Sequence, residues 1–170
     1  MANKQLDPIW IETARKFLGT AEIAGPKSNP IIDGFWKVIG LKHTDDIPWC
    51  MGFVMAMLQH SGYPFMKTGW ARDGLKYKGK SGKVVKLEKP AYGCIVVFSR
   101  GSGGHIGFVV GVDKHGNLMV LGGNQSDKVT IAPFSKQRVL GYIWPGILPF
   151  PERYNLPILT SDGKLSTNEV

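Results

Sequence analysis

The sequence predicts an α+β fold in which helices come first and an antiparallel sheet follows. Apolar residues recur at helical spacing in three stretches before position 62, whereas short β-branched and aromatic runs alternate with turn formers after position 93. Helices and strands in separate blocks are typical of α+β architecture. A chain of 170 residues, 43% of them apolar, is long enough to bury one hydrophobic core. We therefore expect helices packed on a sheet of about five strands.

Two helices are predicted near the start of the chain. The first follows Asp7-Pro8, where the aspartate fits the N-cap and the proline fits the first turn. The second lies within SNPIIDGFWKVIG, where either Ser28 or Asn29 is the N-cap and Pro30 opens the helix. In both stretches the apolar residues recur on one face, so we expect both helices to pack inward.

A third helix is predicted within DDIPWCMGFVMAMLQHSGYP, with Asp45 or Asp46 as the N-cap and Pro48 in the first turn. Cys50 then lies in the first turn, on the face that packs inward. There the helix dipole and the unpaired backbone N–H groups favour an anion, which lowers the pKa of a thiol. A buried free cysteine is also common in protein cores. The helix alone favours the structural interpretation of Cys50, and a second reactive group is needed to indicate catalysis.

Five strands are predicted in the second half of the chain, and together they form a meandering antiparallel sheet. Their sequences are CIVVF, HIGFVVGV, NLMVLGG, KVTIAPF and VLGYIWP. The stretch 63–90 is rich in Gly, Lys and turn formers, and we predict a loop region with one small element at WARDGLKY. Residues 1–145 are expected to form a single domain. The proline-rich tail 146–170 is expected to wrap the surface or to be partly disordered.

The charge of the chain bears on its partners. With 21 basic and 13 acidic residues the net charge is +8, which predicts attraction to nucleic acid, anionic lipid headgroups or anionic cell-wall polymer. The basic residues are scattered, with a local excess over 76–89, and this indicates a solvated basic face rather than a dedicated patch. The aromatic residues fall on apolar periodic positions and are not interleaved with Lys and Arg. We therefore expect no nucleic-acid partner.

The cysteine count argues against a disulfide scaffold or a zinc site. Cys50 and Cys94 are the two cysteines, and the sequence has no C-x-x-C and no Cys/His pairing at zinc spacing. We expect neither a metal nor a cofactor. The start, MANKQLDPIW, lacks the apolar region of a signal peptide, and no apolar window reaches membrane-spanning length. The expectation is a monomer without a transmembrane segment, made in the cytoplasm and carried or released by something else.

A nucleophilic cysteine needs a base, and four histidines are candidates. His43, His60 and His115 fit loop, helix-end and turn positions. His105 differs from them, because GSGGHIGFVV leads it from a glycine-rich loop onto the first position of an apolar strand. A side chain at a strand edge is rigidly held and can still face a cleft. His105 is therefore the predicted base.

A histidine base usually has an orienting partner on its other ring nitrogen. A two-residue turn at His115-Gly116 would place position 105 opposite position 126, which makes Asn124 a diagonal neighbour of His105 on the same face. The two glycines before Asn124 can introduce a bulge that shifts this register. The alternative is that Asn124 caps a turn after the glycines.

The order Cys, His, Asn on helix, strand and strand is that of papain-like cysteine peptidases. The sequence resembles the NlpC/P60 and CHAP cell-wall hydrolases of bacteria and phages, and most closely a phage-associated subgroup marked by PWC, GHIGFVVG and LGGNQ. The resemblance covers roughly residues 8–145. It implies a papain-like NlpC/P60 catalytic domain with Cys50 as nucleophile, His105 as general base and then acid, and Asn124 as the polar third member. The chain departs from the CHAP pattern at Gly122, where relatives often carry an acid.

The resemblance also implies a function. It implies a peptidoglycan hydrolase that cleaves an amide of or next to the stem peptide through a thioester, with Asp46, Trp49 and Trp70 lining the cleft. For the two tryptophans, core packing is the alternative. A basic chain of this size fits a phage endolysin that reaches the periplasm or cell wall after release by a holin. A secreted toxin amidase acting on rival cells is the nearest alternative. A non-catalytic module that binds nucleic acid or glycan is the alternative of another class.

Overall fold

The computed structural model describes residues 7–167, which form three α-helices, three short 3-10 helices and one six-stranded antiparallel sheet. The α-helices are α1 (Ile9–Arg15), α2 (Pro30–Val38) and α3 (Cys50–His60). The 3-10 helices are Ala71–Lys76, Lys136–Arg138 and Pro151–Tyr154. The strands are β1 (Lys86–Leu87), β2 (Ile95–Arg100), β3 (Gly103–Val112), β4 (Leu118–Gln125), β5 (Lys128–Phe134) and β6 (Val139–Ile143). The predicted α+β class is confirmed.

The first two helices begin close to where the sequence predicts. At α2 the Asn29 side chain accepts a hydrogen bond from the backbone N–H of Ile31 at 2.9 Å, with Pro30 at the first position. At α1 the predicted cap is wrong, because the N-cap is Pro8 and not Asp7. The Asp7 carboxylate instead pairs with the Arg15 guanidinium at 2.7 Å, so it is not available to the helix start.

The third helix starts later than predicted. Its first residue is Cys50 and its N-cap is Trp49, whose side chain makes no capping hydrogen bond. The prediction that Asp45 or Asp46 caps this helix, with Pro48 in the first turn, is therefore wrong. Pro48 precedes the helix. The consequence is that Cys50 occupies the helix start itself.

Asp45 does not cap α3. It is buried, and its carboxylate stabilises the segment before α2. One of its carboxylate oxygens accepts hydrogen bonds from the backbone N–H groups of Ile23 and Asn29, both at 2.9 Å. Asp46 is exposed and accepts a hydrogen bond from the Thr44 hydroxyl. Both carboxylates thus bind loop groups rather than the amides of α3.

The strand order is β1-β6-β2-β3-β4-β5, with antiparallel neighbours throughout. The five predicted strands are present, and the predicted meander holds from β2 to β5. The last strand departs from it, because β6 returns to pair with β2. The additional strand β1 was missed because two residues are too short to show an alternating pattern.

The hairpin of β3 and β4 has a wider turn than predicted. The Asp113 carboxylate accepts backbone hydrogen bonds from His115 and Asn117 at 2.9 Å, and the backbone N–H of Asp113 donates to Asn117. A further irregularity lies between Val109 and Gly111. Toward His105, the last pair of this ladder is Phe108 with Leu121, whereas the predicted register would pair 108 with 123. The predicted register is therefore wrong by two residues, which leaves the face of the strand unchanged.

Helix α3 is the centre of the hydrophobic core. All its residues from Cys50 to Leu58 are buried, and it packs against α1, α2, β3 and β4. Gly52 allows a close approach to α2, because a Cβ there would lie 2.9 Å from the Trp36 ring. The start of α3 is thus held between the helical layer and the sheet.

No helix within residues 7–167 is long and apolar enough to span a membrane.

The described part of the tail runs along the sheet. The backbone of Val112 exchanges hydrogen bonds with Pro157 and Leu159 at 2.9 and 2.7 Å, and the N–H of Ser166 donates to Pro133 at 2.8 Å. The tail therefore contacts β3 and β5 through backbone groups. A groove of about 530 Å³ lies between this tail and the β4–β5 hairpin.

Candidate active site

Cys50 lies at the positive end of a helix. The first hydrogen bond at the start of α3 runs from the Phe53 N–H to the carbonyl of Trp49 at 2.9 Å, so the N-terminal end of the helix dipole is at Cys50. The Cys50 side chain is 3% exposed. The positive end of a helix favours the thiolate that a nucleophilic cysteine needs, whereas burial of the thiol opposes its ionisation.

Trp49 is a core residue and does not line a cleft. Core packing was the alternative prediction for this tryptophan. It has no exposed surface, and its indole packs beside Phe35 with ring centroids 6.2 Å apart. Its Nε1–H donates to Oε1 of Glu22 at 2.8 Å. Desolvation raises the pKa of Glu22, and the hydrogen bond from Trp49 opposes this shift. Trp49 thus fixes the residue before Cys50 by burial and by one hydrogen bond.

His105 lies on β3 and is fully buried. The strand begins two residues earlier than predicted, because Gly103 and Gly104 already pair with β2. The imidazole stacks on Phe134 with centroids 5.1 Å apart and an interplanar angle of 4°. Phe98, the direct cross-strand partner of His105, stacks at 6.2 Å and 22°. The plane of the imidazole is therefore fixed by aromatic rings.

Sequence reasoning missed the residue that hydrogen-bonds the imidazole. Nε2 of His105 lies 3.0 Å from Oε1 of Gln125, whose side chain is also buried. The Gln125 amide nitrogen donates to the carbonyl oxygens of Val120 and Thr130 at 3.1 and 3.0 Å, and to the Thr130 hydroxyl at 3.0 Å. The motif LGGNQ contains this glutamine, but a regular strand places positions 124 and 125 on opposite faces.

A bulge in β4 changes that alternation. The β4–β5 register shifts between Gly122 and Gln125, and Asn124 within this stretch has a left-handed φ of 57°. A Cβ on Gly122 would lie 2.3 Å from Oε1 of Gln125 and 3.5 Å from Nε2 of His105. The bulge therefore turns the Gln125 side chain toward His105, into space that a side chain at 122 would need.

Asn124 is fully buried beside a tight hairpin turn. Ser126 and Asp127 have φ values of 51° and 61°, and Gln125 pairs with Lys128, which is the geometry of a two-residue type I′ turn. Asparagine is among the residues that adopt a left-handed conformation most readily. Its left-handed backbone conformation therefore suits this position.

The segment 122–124 connects the predicted site residues. A Cβ on Gly123 would lie 2.6 Å from the Trp49 indole and 2.7 Å from Cβ of Phe53, which flank the first turn of α3. Its neighbour Gly122 faces the His105 ring. The imidazole and the first turn of α3 therefore adjoin two successive residues of β4, Gly122 and Gly123, which immediately precede Asn124.

Of the other predicted binding residues, Trp70 and Asp46 are exposed. Trp70 is 73% exposed and immediately precedes the 3-10 helix Ala71–Lys76. Arg72 of this helix donates to the carbonyl oxygens of Gly103 and Gly101 at 2.6 and 3.1 Å. Trp70 thus precedes a helix that is tied to the loop before His105, while Asp46 lies on the loop that leads to α3.

The second cysteine is chemically different from the first. Cys94 is fully buried at the start of β2, and burial raises the pKa of its thiol to about 12. It therefore remains a thiol at neutral pH. The residues that the structure describes contain no group of three or more His, Cys, Asp or Glu side chains that could hold a metal ion.

The remaining histidines lie in packing and turn positions. His43 contacts the edge of Trp36 at a centroid distance of 4.9 Å, and His60 stacks near Phe17 at 6.5 Å. His115 lies in the β3–β4 turn, where its N–H donates to Asp113.

Part of the chain matches a known protein family. Residues 42–124 match the family model of the CHAP domain. No curated protein and no solved structure matches the chain. The matched range includes Cys50 and His105 and ends at Asn124.

Proposed function

We propose that this chain, of which residues 42–124 match the family model of the CHAP domain, hydrolyses an amide bond of or next to the peptidoglycan stem peptide. CHAP domains are typically cysteine- and histidine-dependent amidases or peptidases, and the match suggests a peptidoglycan hydrolase or amidase activity. The observation that carries the proposal is that the successive glycines before Asn124 lie against the two predicted parts of the site, Gly122 against the His105 ring and Gly123 against the start of α3. It supports a common site for Cys50, His105 and Asn124.

In the proposed reaction the Cys50 thiolate attacks the amide carbonyl carbon and forms a tetrahedral oxyanion. The backbone N–H of Cys50 at the helix start is a donor for this oxyanion. The C–N bond breaks as His105 gives a proton to the leaving amine, which leaves a thioester. Water then attacks the thioester while His105 accepts its proton, the C–S bond breaks, and the carboxylic acid product leaves the Cys50 thiolate and the protonated His105 as they were at the start. Asn124 serves as the polar third member of the site.

Substrate binding is proposed at Trp70 and Asp46, which are exposed near the loops before His105 and Cys50. A flat indole with most of its surface free can pack on a sugar or a peptide. Trp49 is left out of this role because it is buried in the core.

We place the activity in the periplasm or cell wall, as a phage endolysin that is released from the cytoplasm. The net charge of +8 supports attraction to an anionic envelope surface. A toxin amidase delivered to rival cells would use the same chemistry. Lysis of the producing cell on co-expression with a holin would support the endolysin, whereas rescue by a specific immunity protein would support the toxin.

The experiment that tests the proposed function compares the two cysteines. Cys50→Ala and Cys50→Ser are expected to abolish the release of new amines from purified peptidoglycan, because neither side chain supplies a thiolate. Cys94→Ala is the matched control, expected to retain the activity and to lose about 1 kcal/mol of stability. Mass spectrometry of the released fragments identifies the bond. Cleavage that persists in Cys50→Ala would refute the mechanism.

A further inference from the structure

We propose that Gln125 is the positioning residue of His105, and that its carboxamide oxygen holds the imidazole as the Nε2–H tautomer. The tautomer follows from the hydrogen bonds of the two side chains. The consequence for catalysis, that Nδ1 exchanges the proton with Cys50, rests on the proposed function.

The orientation of the Gln125 amide is fixed by its partners. Its nitrogen lies 3.0 to 3.1 Å from two backbone carbonyl oxygens, those of Val120 and Thr130. Carbonyl oxygens accept hydrogen bonds and cannot donate them, so the NH₂ group must face them. Oε1 is therefore the atom that faces the imidazole, at 3.0 Å from Nε2 of His105.

The orientation of the amide determines the tautomer of the imidazole. Oε1 of an amide only accepts, so Nε2 of His105 must carry the proton. In a neutral imidazole the lone pair is then on Nδ1, which becomes the basic nitrogen. The stacked rings of Phe134 and Phe98 fix the plane, and Gln125 fixes the direction within that plane. Rotation of the ring by 180° would place the carbon atom Cε1 where Nε2 lies, so the hydrogen bond to Gln125 would be lost.

Gln125 and Gly122 act as a pair. The Gln125 oxygen lies 2.3 Å from the place of a Cβ at position 122, so a side chain there and this amide cannot coexist in the present geometry. Position 122, from which an acidic side chain would reach the imidazole, therefore has no side chain. The neutral carboxamide of Gln125 occupies that space. A carboxylate would attract the imidazolium form, whereas the amide selects a tautomer without adding charge.

The direct test is nitrogen NMR of ¹⁵N-histidine-labelled protein at a pH where His105 is neutral. The His105 signals are assigned by their loss in His105→Asn. The wild-type protein is expected to show a protonated Nε2 and an unprotonated Nδ1. Gln125→Met, which keeps the volume but removes the acceptor, is expected to lose this preference. Its kcat should fall about 10- to 100-fold because the base is misoriented, with little change in KM.

Two further variants separate positioning from structure. Thr130→Val removes one acceptor of the Gln125 amide but leaves Oε1 on the imidazole, so the tautomer should persist. Gln125→Glu retains an acceptor for Nε2–H, so the tautomer should again persist while the imidazole pKa rises. If Gln125→Met fails to fold, Gln125→Glu tests the role of Gln125 instead, since an unchanged imidazole pKa or a lost Nε2–H tautomer in this variant would contradict that role.

The outcomes separate the two proposals. A wild-type signal with the proton on Nδ1, or a Gln125→Met protein with unchanged tautomer and kcat, would overturn the role of Gln125. A wild-type protein that shows Nε2–H but does not cleave peptidoglycan would refute the proposed function and would still support Gln125 as the residue that sets the tautomer.

Discussion

Gly123 lies directly against the indole of Trp49, so that a Cβ on the glycine would be 2.6 Å from Cζ3 of the ring. Trp49 is the residue before Cys50, and Gly123 is the residue before Asn124. Two neighbours of the proposed catalytic residues are thus in contact. The separation of α3 and β4 at the site is set by the absence of a side chain at position 123.

Gly123→Ala is expected to push the start of α3 away from β4. The added methyl group has no space, so we expect a loss of about 1–3 kcal/mol in the free energy of unfolding, as for overpacked cores. The rate of peptidoglycan hydrolysis should fall on the order of 100-fold, since displacements of about 1 Å have effects of this size. Urea unfolding and amine release measure the two effects.

The control for this substitution is Gly34→Ala in α2, where no atom lies within 4 Å of the added methyl group. Alanine is favoured over glycine inside a helix, so stability should rise by about 0.5–1 kcal/mol with unchanged hydrolysis. Equal behaviour of the two variants would contradict the tight contact at Gly123.

Asp113 is expected to make stability depend on acid pH. Burial alone would raise the pKa of its carboxyl, but hydrogen bonds from Asn117, His115 and Ser161 lower it from 3.8 to about 2. Because the pKa is lower in the folded state, this stabilisation is present above pH 4 and is lost as the pH falls toward 2. Asp113→Asn should unfold at a lower temperature at pH 7, and the difference from wild type should shrink between pH 4 and pH 2.

Thermal unfolding followed at several pH values measures this dependence. A constant difference in melting temperature between Asp113→Asn and the wild type from pH 7 to pH 2 would show that the Asp113 charge makes no contribution.

Trp70→Ala is expected to weaken substrate binding without affecting the fold. The indole is 73% exposed, so its removal leaves no cavity and the melting temperature should stay within the error of the wild type. KM for soluble peptidoglycan fragments should rise about 10-fold, the loss expected for one aromatic contact of about 1.5 kcal/mol.

Ile147→Ala is the matched control for Trp70. Ile147 is 72% exposed and lies beside another groove, together with Pro8 and Trp144. Its replacement should leave both KM and melting temperature unchanged. A rise in KM that is the same for both variants would argue against a specific role of Trp70.

The secondary structure was largely predictable, because periodicity is a local property of the sequence. Three helices and the five longer strands follow from it. The start of α3 was not predictable in this way, because Asp45 and Pro48 have the residue types of an N-cap and a first helical turn although the helix begins later. Asp45 is bound instead by Ile23 and Asn29, which are distant in the chain.

The site was predictable only in part, for a geometric reason. The pairing of β3 with β4 follows from the sequence, and a two-residue error in its register leaves each side chain before the bulge on its predicted face because strands alternate with period two. The hydrogen bond that His105 donates to Gln125 does not follow from it, because the bulge at Asn124 breaks the alternation. The two glycines in LGGNQ were the available signal for that bulge.

The left-handed backbone of Asn124 has a consequence for mutagenesis. At a φ of 57° a β-branched side chain is strained whatever its polarity, so a screen at this codon selects first for conformation and only then for chemistry. Alanine scanning would mix the two effects. Glycine at the same place relaxes the backbone while deleting the amide group, so the contrast between these two replacements assigns the loss to one cause.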